Sequence, residues 1–329
     1  MYRTAGLHHV TAIARDPQRN VDFYAGTLGL RLVKQTVNFD DPFTYHLYYG
    51  DASGRPGSIL TFFPWPTARR GRVGAGQVAE TQLAIPTSSL AFWIERLTAR
   101  QVAFDGPVHR FEGETVLTFT DPDGMPLALV ATAAAASLRG WSGAAGVSEA
   151  MSIRGLHAVT LWVHRRAETA AVLTGALGFR ELGAREDILR YAADDASPGT
   201  LVDVRELPTG PGGPGGPGGA GTVHHVAFRA TDDDTEFGLR SQVTATGLSI
   251  TEQIDRTYFR SMYFREPGQV LFELATDAPG FAVDERVEHL GETLQLPGQH
   301  AHLRVALEAH LPPLHLPPLH LPAAGAEQP

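Results

Sequence analysis

A chain of 329 residues, 43% hydrophobic and 19% charged, is long and apolar enough to bury two cores or one duplicated one. A net charge of −9 argues against a nucleic-acid or anionic-membrane partner, and no apolar run reaches the roughly 18 residues that a spanning helix needs. Without cysteine any metal falls to His, Asp or Glu, and MYRTAGLHHV lacks a basic-then-apolar leader, so a cytoplasmic chain is expected.

The first predicted element is the strand LHHVTAIA. Asp16 then stands as an N-cap before Pro17, and Val21, Tyr24 and Leu28 mark the buried stripe of a helix. Strand-like stretches separated by turns follow, YHLYYGDASGRPGSILTFF among them. A second unit opens at AETQLAIP, with Ser88 placed to cap a helix whose Leu90, Trp93, Ile94 and Leu97 face inward. It closes on VLTFTDPDGMPLALVA. After the Gly/Ser/Ala-rich GWSGAAGVSE at 140–149, the pattern restarts at LHAVTLWV and again at VHHVAFRA, which runs on to SMYFREPGQVLFELAT. Each unit reads βαβββ, four times over.

Sliding the chain by 149 residues lays 6–32 on 155–181 without a gap. GLH-VT recurs, as do Leu28-Gly29 with Leu177-Gly178 and Arg31 with Arg180. The chain therefore reads as α+β in two homologous halves, 1–140 and 150–280, of two modules each. PTGPGGPGGPGGAGT (208–222) is a Pro/Gly linker between the third and fourth modules. Residues 281–329 form a C-terminal extension whose end, HLPPLHLPPLHLPAAGAEQP, is low in complexity and expected to be largely disordered.

Internal repeats separate scaffold from site. The first histidine of the doubled pair recurs as His8, His157 and His224, and so has a scaffold or supporting character. The second occurs only as His9 and His225. On the last strand, five residues past the turn glycine, three modules carry Phe62, Leu129 and Val204, but the fourth carries Glu273. A carboxylate on a dry face needs a partner. If modules one and four pack together, His9, His225 and Glu273 converge. Two histidines and a carboxylate on one face of an ion form the set typical of non-haem Fe(II) sites, with Mn(II) an alternative. A single strand histidine is more often a core residue than a ligand. The coincidence across repeats selects these three.

The run GLHHVTAIARDPQRNVDFYAGTLGLRLVKQTVNFDDPFTYHLYYGD, followed by GRPGSILTFFPWP, resembles the ring-cleaving dioxygenases of the vicinal-oxygen-chelate superfamily, in particular the hydroquinone 1,2-dioxygenase branch. The likeness continues through IRGLHAVTLWV, HHVAF, DRTYFRSMYFREPGQVLFELATDAPGF and LGETLQLP. It implies four βαβββ modules forming two homologous vicinal-oxygen-chelate domains with curved mixed sheets. It also implies Fe(II) on His9, His225 and Glu273, with O2 as co-substrate and a small aromatic substrate that is hydroquinone-like, chlorinated or catecholic. Thr11, His8, His224, Arg256 and Tyr263 match family positions near the substrate. Arg256 would hold anionic oxygens, Tyr263 would donate a hydrogen bond, and His224 or His8 would act in acid/base or supporting roles. A homo-oligomer is left open. The Pro/Gly linker and the HLPPL tail depart from the family pattern but touch no motif position. Two alternatives share the fold: a metal-dependent glyoxalase-type isomerase or thiol transferase, and a metal-free aromatic-binding resistance protein. O2 uptake separates the first, and the intact trio argues against the second.

Overall fold

The computed structural model describes residues 1–144, 146–193, 196–207 and 218–318. Module one holds strands β1 (Leu7–Ala14), β2 (Arg31–Val37), β3 (Tyr45–Gly50) and β4 (Ile59–Pro64). Module two holds β5 (Gln77–Pro86), β6 (Phe104–His109), β7 (Thr115–Thr120) and β8 (Pro126–Thr132). Module three holds β9 (Leu156–Val163), β10 (Arg180–Arg185), β11 (Ile188–Ala192) and β12 (Leu201–Glu206). Module four holds β13 (Thr222–Ala230), β14 (Ile254–Asp255), β15 (Arg260–Arg265) and β16 (Leu271–Thr276). One helix follows each opening strand: α1 (Pro17–Val21), α2 (Leu90–Ala99), α3 (Arg166–Ala171) and α4 (Asp233–Ala245).

The strands form two eight-stranded mixed sheets, ordered β14-β15-β16-β13-β1-β4-β3-β2 and β10-β11-β12-β9-β5-β8-β7-β6. Within a module the first and last strands run parallel, and the modules join through antiparallel first strands, β1 with β13 and β5 with β9. The first sheet thus unites modules one and four, and the second unites two and three. The boundary near 140–150 follows the repeat, yet each sheet draws one module from either half.

Val10, Ala12 and Ala14 of β1 join the main core with Val21, Tyr24 and Leu28, while His9 and Thr11, one position out of phase, face the opposite side. Asp16 caps α1 by accepting from the Arg19 amide at 3.0 Å, with Pro17 in the first turn. Val21, Tyr24 and Leu28 are fully buried, as are Trp93 and Leu97, whereas Leu90 and Ile94 are half-buried. Ser88 does not cap α2. A 3-10 turn over Thr87–Ser89 intervenes, and the Ser89 hydroxyl donates to the Pro86 carbonyl instead.

The repeated GLH motif has a backbone cause. Gly6 and Gly155 sit at φ +110° and +118°, where a Cβ would approach the Gly199 and Gly57 carbonyl oxygens to 2.5 and 2.7 Å. The Leu7 amide donates to Gly199 O and the Leu156 amide to Gly57 O, so the halves clasp each other reciprocally.

The C-terminal extension is more ordered than the sequence implies. Helix α5 (Arg304–His310) buries Leu307. Beyond it Tyr45 donates to Pro312 O, the His315 amide donates to the Gln18 side chain, and Leu314 and Leu316 pack on the core. The expectation of disorder fails for 310–318 because apolar residues of the repeat find the module-one surface; 319–329 lie outside the described residues. Most of the Pro/Gly linker, 208–217, also lies outside them, and β13 already begins at Thr222. Among the described residues no helix is long and apolar enough to cross a membrane.

Candidate metal centre

Three adjacent strands build the site. In the order β16-β13-β1, Glu273 pairs with Ala227 and Ala227 with His9, forming one row across the sheet. His225 lies two residues before Ala227, in register with Thr11, and so shares that face. The small Ala227 leaves room for the side chains around it to lean together. His9 Nε2 lies 3.2 Å and His225 Nε2 2.8 Å from Glu273 Oε2, and the two Nε2 atoms are 3.3 Å apart. All three residues are buried, and together they form the one His/Asp/Glu cluster suited to a metal among the described residues.

The donor set fits an ion. Glu273 Oε1 accepts from the Ser261 hydroxyl, whereas Oε2, fully buried, has no hydrogen bond of good geometry despite its two imidazole neighbours. Burial works to raise the Glu273 carboxyl, but His9 and His225 outweigh it and hold it well below the usual carboxylate range. The site therefore offers an anionic oxygen and two imidazole nitrogens.

The doubled histidines now divide by role. His8 Nδ1 lies 2.9 Å from His9 Nδ1, and His224 Nδ1 lies 2.8 Å from His225 Nδ1. Each ligand candidate thus turns Nε2 to the cluster and Nδ1 to its neighbour, the support that orients ligating imidazoles. Burial, with His9 second, lowers the His8 pKa to about 3; desolvation, with His225 second, lowers His224 to about 3. Both are neutral and able to accept an Nδ1 proton.

A cavity of about 390 Å³ opens beside the cluster. Thr11, His224, Arg256 and Tyr263 all line it, whereas His8 does not and packs against Phe259. Phe39, Phe63, Trp65, Tyr48 and Phe259 supply aromatic walls. The Arg256 guanidinium lies over the Phe39 and Tyr263 rings, donates through Nε to the Tyr263 hydroxyl at 3.3 Å, and is 3.7 Å from Asp40. Burial, followed by Glu273, pushes the Tyr263 phenol up, so it stays protonated.

Sequence reasoning passes over His46 and Tyr48, which line the same cavity from β3. The signal lies in YHLYYG, where strand alternation places the two on one face. Their ring centroids lie 4.0 Å apart with the planes tilted by 36°. Among the described residues, the equivalent region of the second sheet carries no metal set. Arg190 there bridges Glu114 and Asp203, and Ala158 occupies the place of His9.

Two stretches of the chain, 6–129 and 155–274, match the sequence profile of the Glyoxalase/Bleomycin resistance protein/Dioxygenase superfamily. A Bacillus subtilis (strain 168) protein named "Putative ring-cleaving dioxygenase MhqO" is 43% identical over 312 residues, which is 94% of this chain and 97% of that protein. The "Chlorohydroquinone/hydroquinone 1,2-dioxygenase" of Sphingobium indicum is 33% identical over 301 residues, 90% of this chain and 92% of that protein. The crystal structure of a "putative dioxygenase from Bacillus subtilis subsp. subtilis str. 168" superposes with a TM-score of 0.91 at 42% identity, covering 97% of this chain and 100% of that one.

Proposed function

The chain belongs to the Glyoxalase/Bleomycin resistance protein/Dioxygenase superfamily, and from that premise we propose that it is an Fe(II)-dependent, extradiol-type ring-cleaving dioxygenase acting on a hydroquinone-like phenol. One observation carries the reading. On the last strand of module four a buried carboxylate, level in strand register with Thr61, Ala128 and Asp203 rather than with the core residues Phe62, Leu129 and Val204, meets two imidazole nitrogens beside an aromatic-walled cavity.

His9, His225 and Glu273 would hold the metal, leaving positions open for substrate and O2. When bound, a redox-active ion supplies the electronic route by which O2 reacts with a ring despite the spin barrier. The protein's own groups do the rest. Phe63, Trp65 and Phe39 bracket a planar ring and exclude water. Arg256 offers a cation to a phenolate oxygen, and Tyr263, kept protonated, offers a donor. His224, neutral and on the cavity wall, can accept a hydrogen bond from a substrate hydroxyl.

The test is anaerobic reconstitution with Fe(II), then O2 uptake against hydroquinone, chlorohydroquinone and catechol, with products identified by mass spectrometry. Uptake matched by a product carrying two added oxygens is expected. A protein that binds iron but consumes no O2 with any ring substrate overturns the reading, and thiol-dependent isomerisation in its place would assign the glyoxalase-type chemistry.

A further inference from the structure

Four side chains on three neighbouring strands form a continuous hydrogen-bond chain along the cavity wall. The Tyr48 hydroxyl lies 2.9 Å from His46 Nδ1, His46 Nε2 lies 2.8 Å from Thr61 Oγ1, and Thr61 Oγ1 lies 2.9 Å from Thr11 Oγ1. Sheet register sets the alignment, since Tyr48 pairs with Thr61 and Thr61 with Thr11.

The direction of the chain follows from what each group can do. Tyr48 is 1% exposed, and among the described residues its hydroxyl has no other hydrogen-bond partner. Burial, followed by the nearby His9 and His225, holds His46 well below its ordinary pKa, so the ring is neutral and carries one proton. A phenol donating to Nδ1 leaves that proton on Nε2. Nε2–H then donates to Thr61, Thr61 donates to Thr11, and the Thr11 proton has no acceptor among the described residues. Thr11 lines the cavity two residues along from His9.

The second sheet provides the internal comparison. At the matching register Thr160 replaces Thr11, Asp203 replaces Thr61, Arg190 replaces Tyr48 and Ile188 replaces His46. There the row is an ion pair rather than a chain of neutral donors. The directed chain belongs to the sheet that carries the His/His/Glu cluster.

Resting on the reading that a phenolate binds in this cavity, we propose that Tyr48, His46 and Thr61 are positioning residues that fix the Thr11 hydroxyl as a hydrogen-bond donor toward an anionic oxygen bound beside His9, His225 and Glu273. The chain orients without transferring a net proton, because burial pushes the Tyr48 phenol well up and a phenolate there is disfavoured. Fixing the rotor before the ligand arrives spares the reorganisation that a free hydroxyl would need.

The test uses the full-length, Fe(II)-loaded protein without O2, titrated with 4-nitrophenol, whose absorbance reports both binding and ionisation. Thr11→Val and Thr61→Val are each expected to weaken phenolate binding about tenfold, with iron content unchanged. Thr61→Ser, which keeps the hydroxyl, is expected to restore it. The double variant Thr11→Val/Thr61→Val should bind no more weakly than Thr11→Val alone, because Thr61 acts only through Thr11. In turnover the same variants should lower kcat for hydroquinone by more than they raise KM. Additive losses in the double variant, equal losses for Thr61→Val and Thr61→Ser, or a native protein that does not bind 4-nitrophenol would overturn the proposal. Normal phenolate binding with no O2 uptake would instead overturn the dioxygenase reading and leave the relay standing.

Discussion

Ala227 shows how a residue with no functional group shapes the centre. It lies between His9 and Glu273 in the same row of the sheet and is fully buried, so any larger side chain would project among the three ligand atoms. Ala227→Leu should fold, because overpacking of this kind costs about 1–3 kcal/mol. Its iron affinity, measured by chelator competition, should fall at least about tenfold, within the range seen when the surroundings of a metal site are disturbed. Full stoichiometric iron with native affinity would contradict this account. Glu236 is a residue-scale effect of another kind. It is fully buried on α4, accepts from Gln253, and burial pushes its carboxyl up to about 7. The fold favours the protonated form. The stability this contributes is complete below the ordinary value of 4.5 and is lost as pH rises through about 7. Glu236→Gln should flatten the fall in melting temperature between pH 5 and pH 8 and be more stable at pH 8 by on the order of 2 kcal/mol. Parallel curves for the two proteins would refute it.

At the scale of elements, the opening strands and their helices were legible because their patterns are local. Asp16 with Pro17 announces α1, and the Val21, Tyr24 and Leu28 stripe gives its buried face. Ser88 misled because the chain enters α2 through a 3-10 turn, which places Ser89 rather than Ser88 at the boundary. The C-terminal segment was illegible for a different reason. Its HLPPL repeat has the composition of an unpacked tail, and only contact with module one gives it order. Gln299 and His300 both reach the Phe39 carbonyl, and the His310 ring packs edge-on against Phe43. These contacts hold the loop from Asn38 to Thr44, and that loop contributes Phe39 and Asp40 to the cavity. Lys34 is buried and bonds Asp284 and Glu285, fastening the start of the same extension to β2.

At the scale of the molecule, the two halves cannot be taken apart. His9 comes from the first half and His225 and Glu273 from the second, and each sheet closes only when modules from both halves pair. Separately expressed halves, 1–147 and 148–329, should each expose the unpaired edges of two first strands and bind no stoichiometric iron, whereas co-expression should restore binding. Tight iron binding by either half alone would contradict the interleaved arrangement. The sequence by itself determined the four modules, the three ligand candidates and the superfamily. Periodicity and repetition are local properties and they single out Glu273, but counting from Gly268 misaligns the repeats by one residue. Gln269 takes the positive-φ place of Gly57, Gly124 and Gly199, so Glu273 is level with Thr61, Ala128 and Asp203, while Phe62, Leu129 and Val204 face the main core. Only the tertiary structure decided that module one pairs with module four, that His8 and His224 meet their neighbours through Nδ1, and that Tyr48, His46, Thr61 and Thr11 join in one hydrogen-bonded row beside the cavity. Those facts depend on strand order and register across distant segments, which hydrogen bonding between backbones fixes and which the pattern along a single strand does not carry.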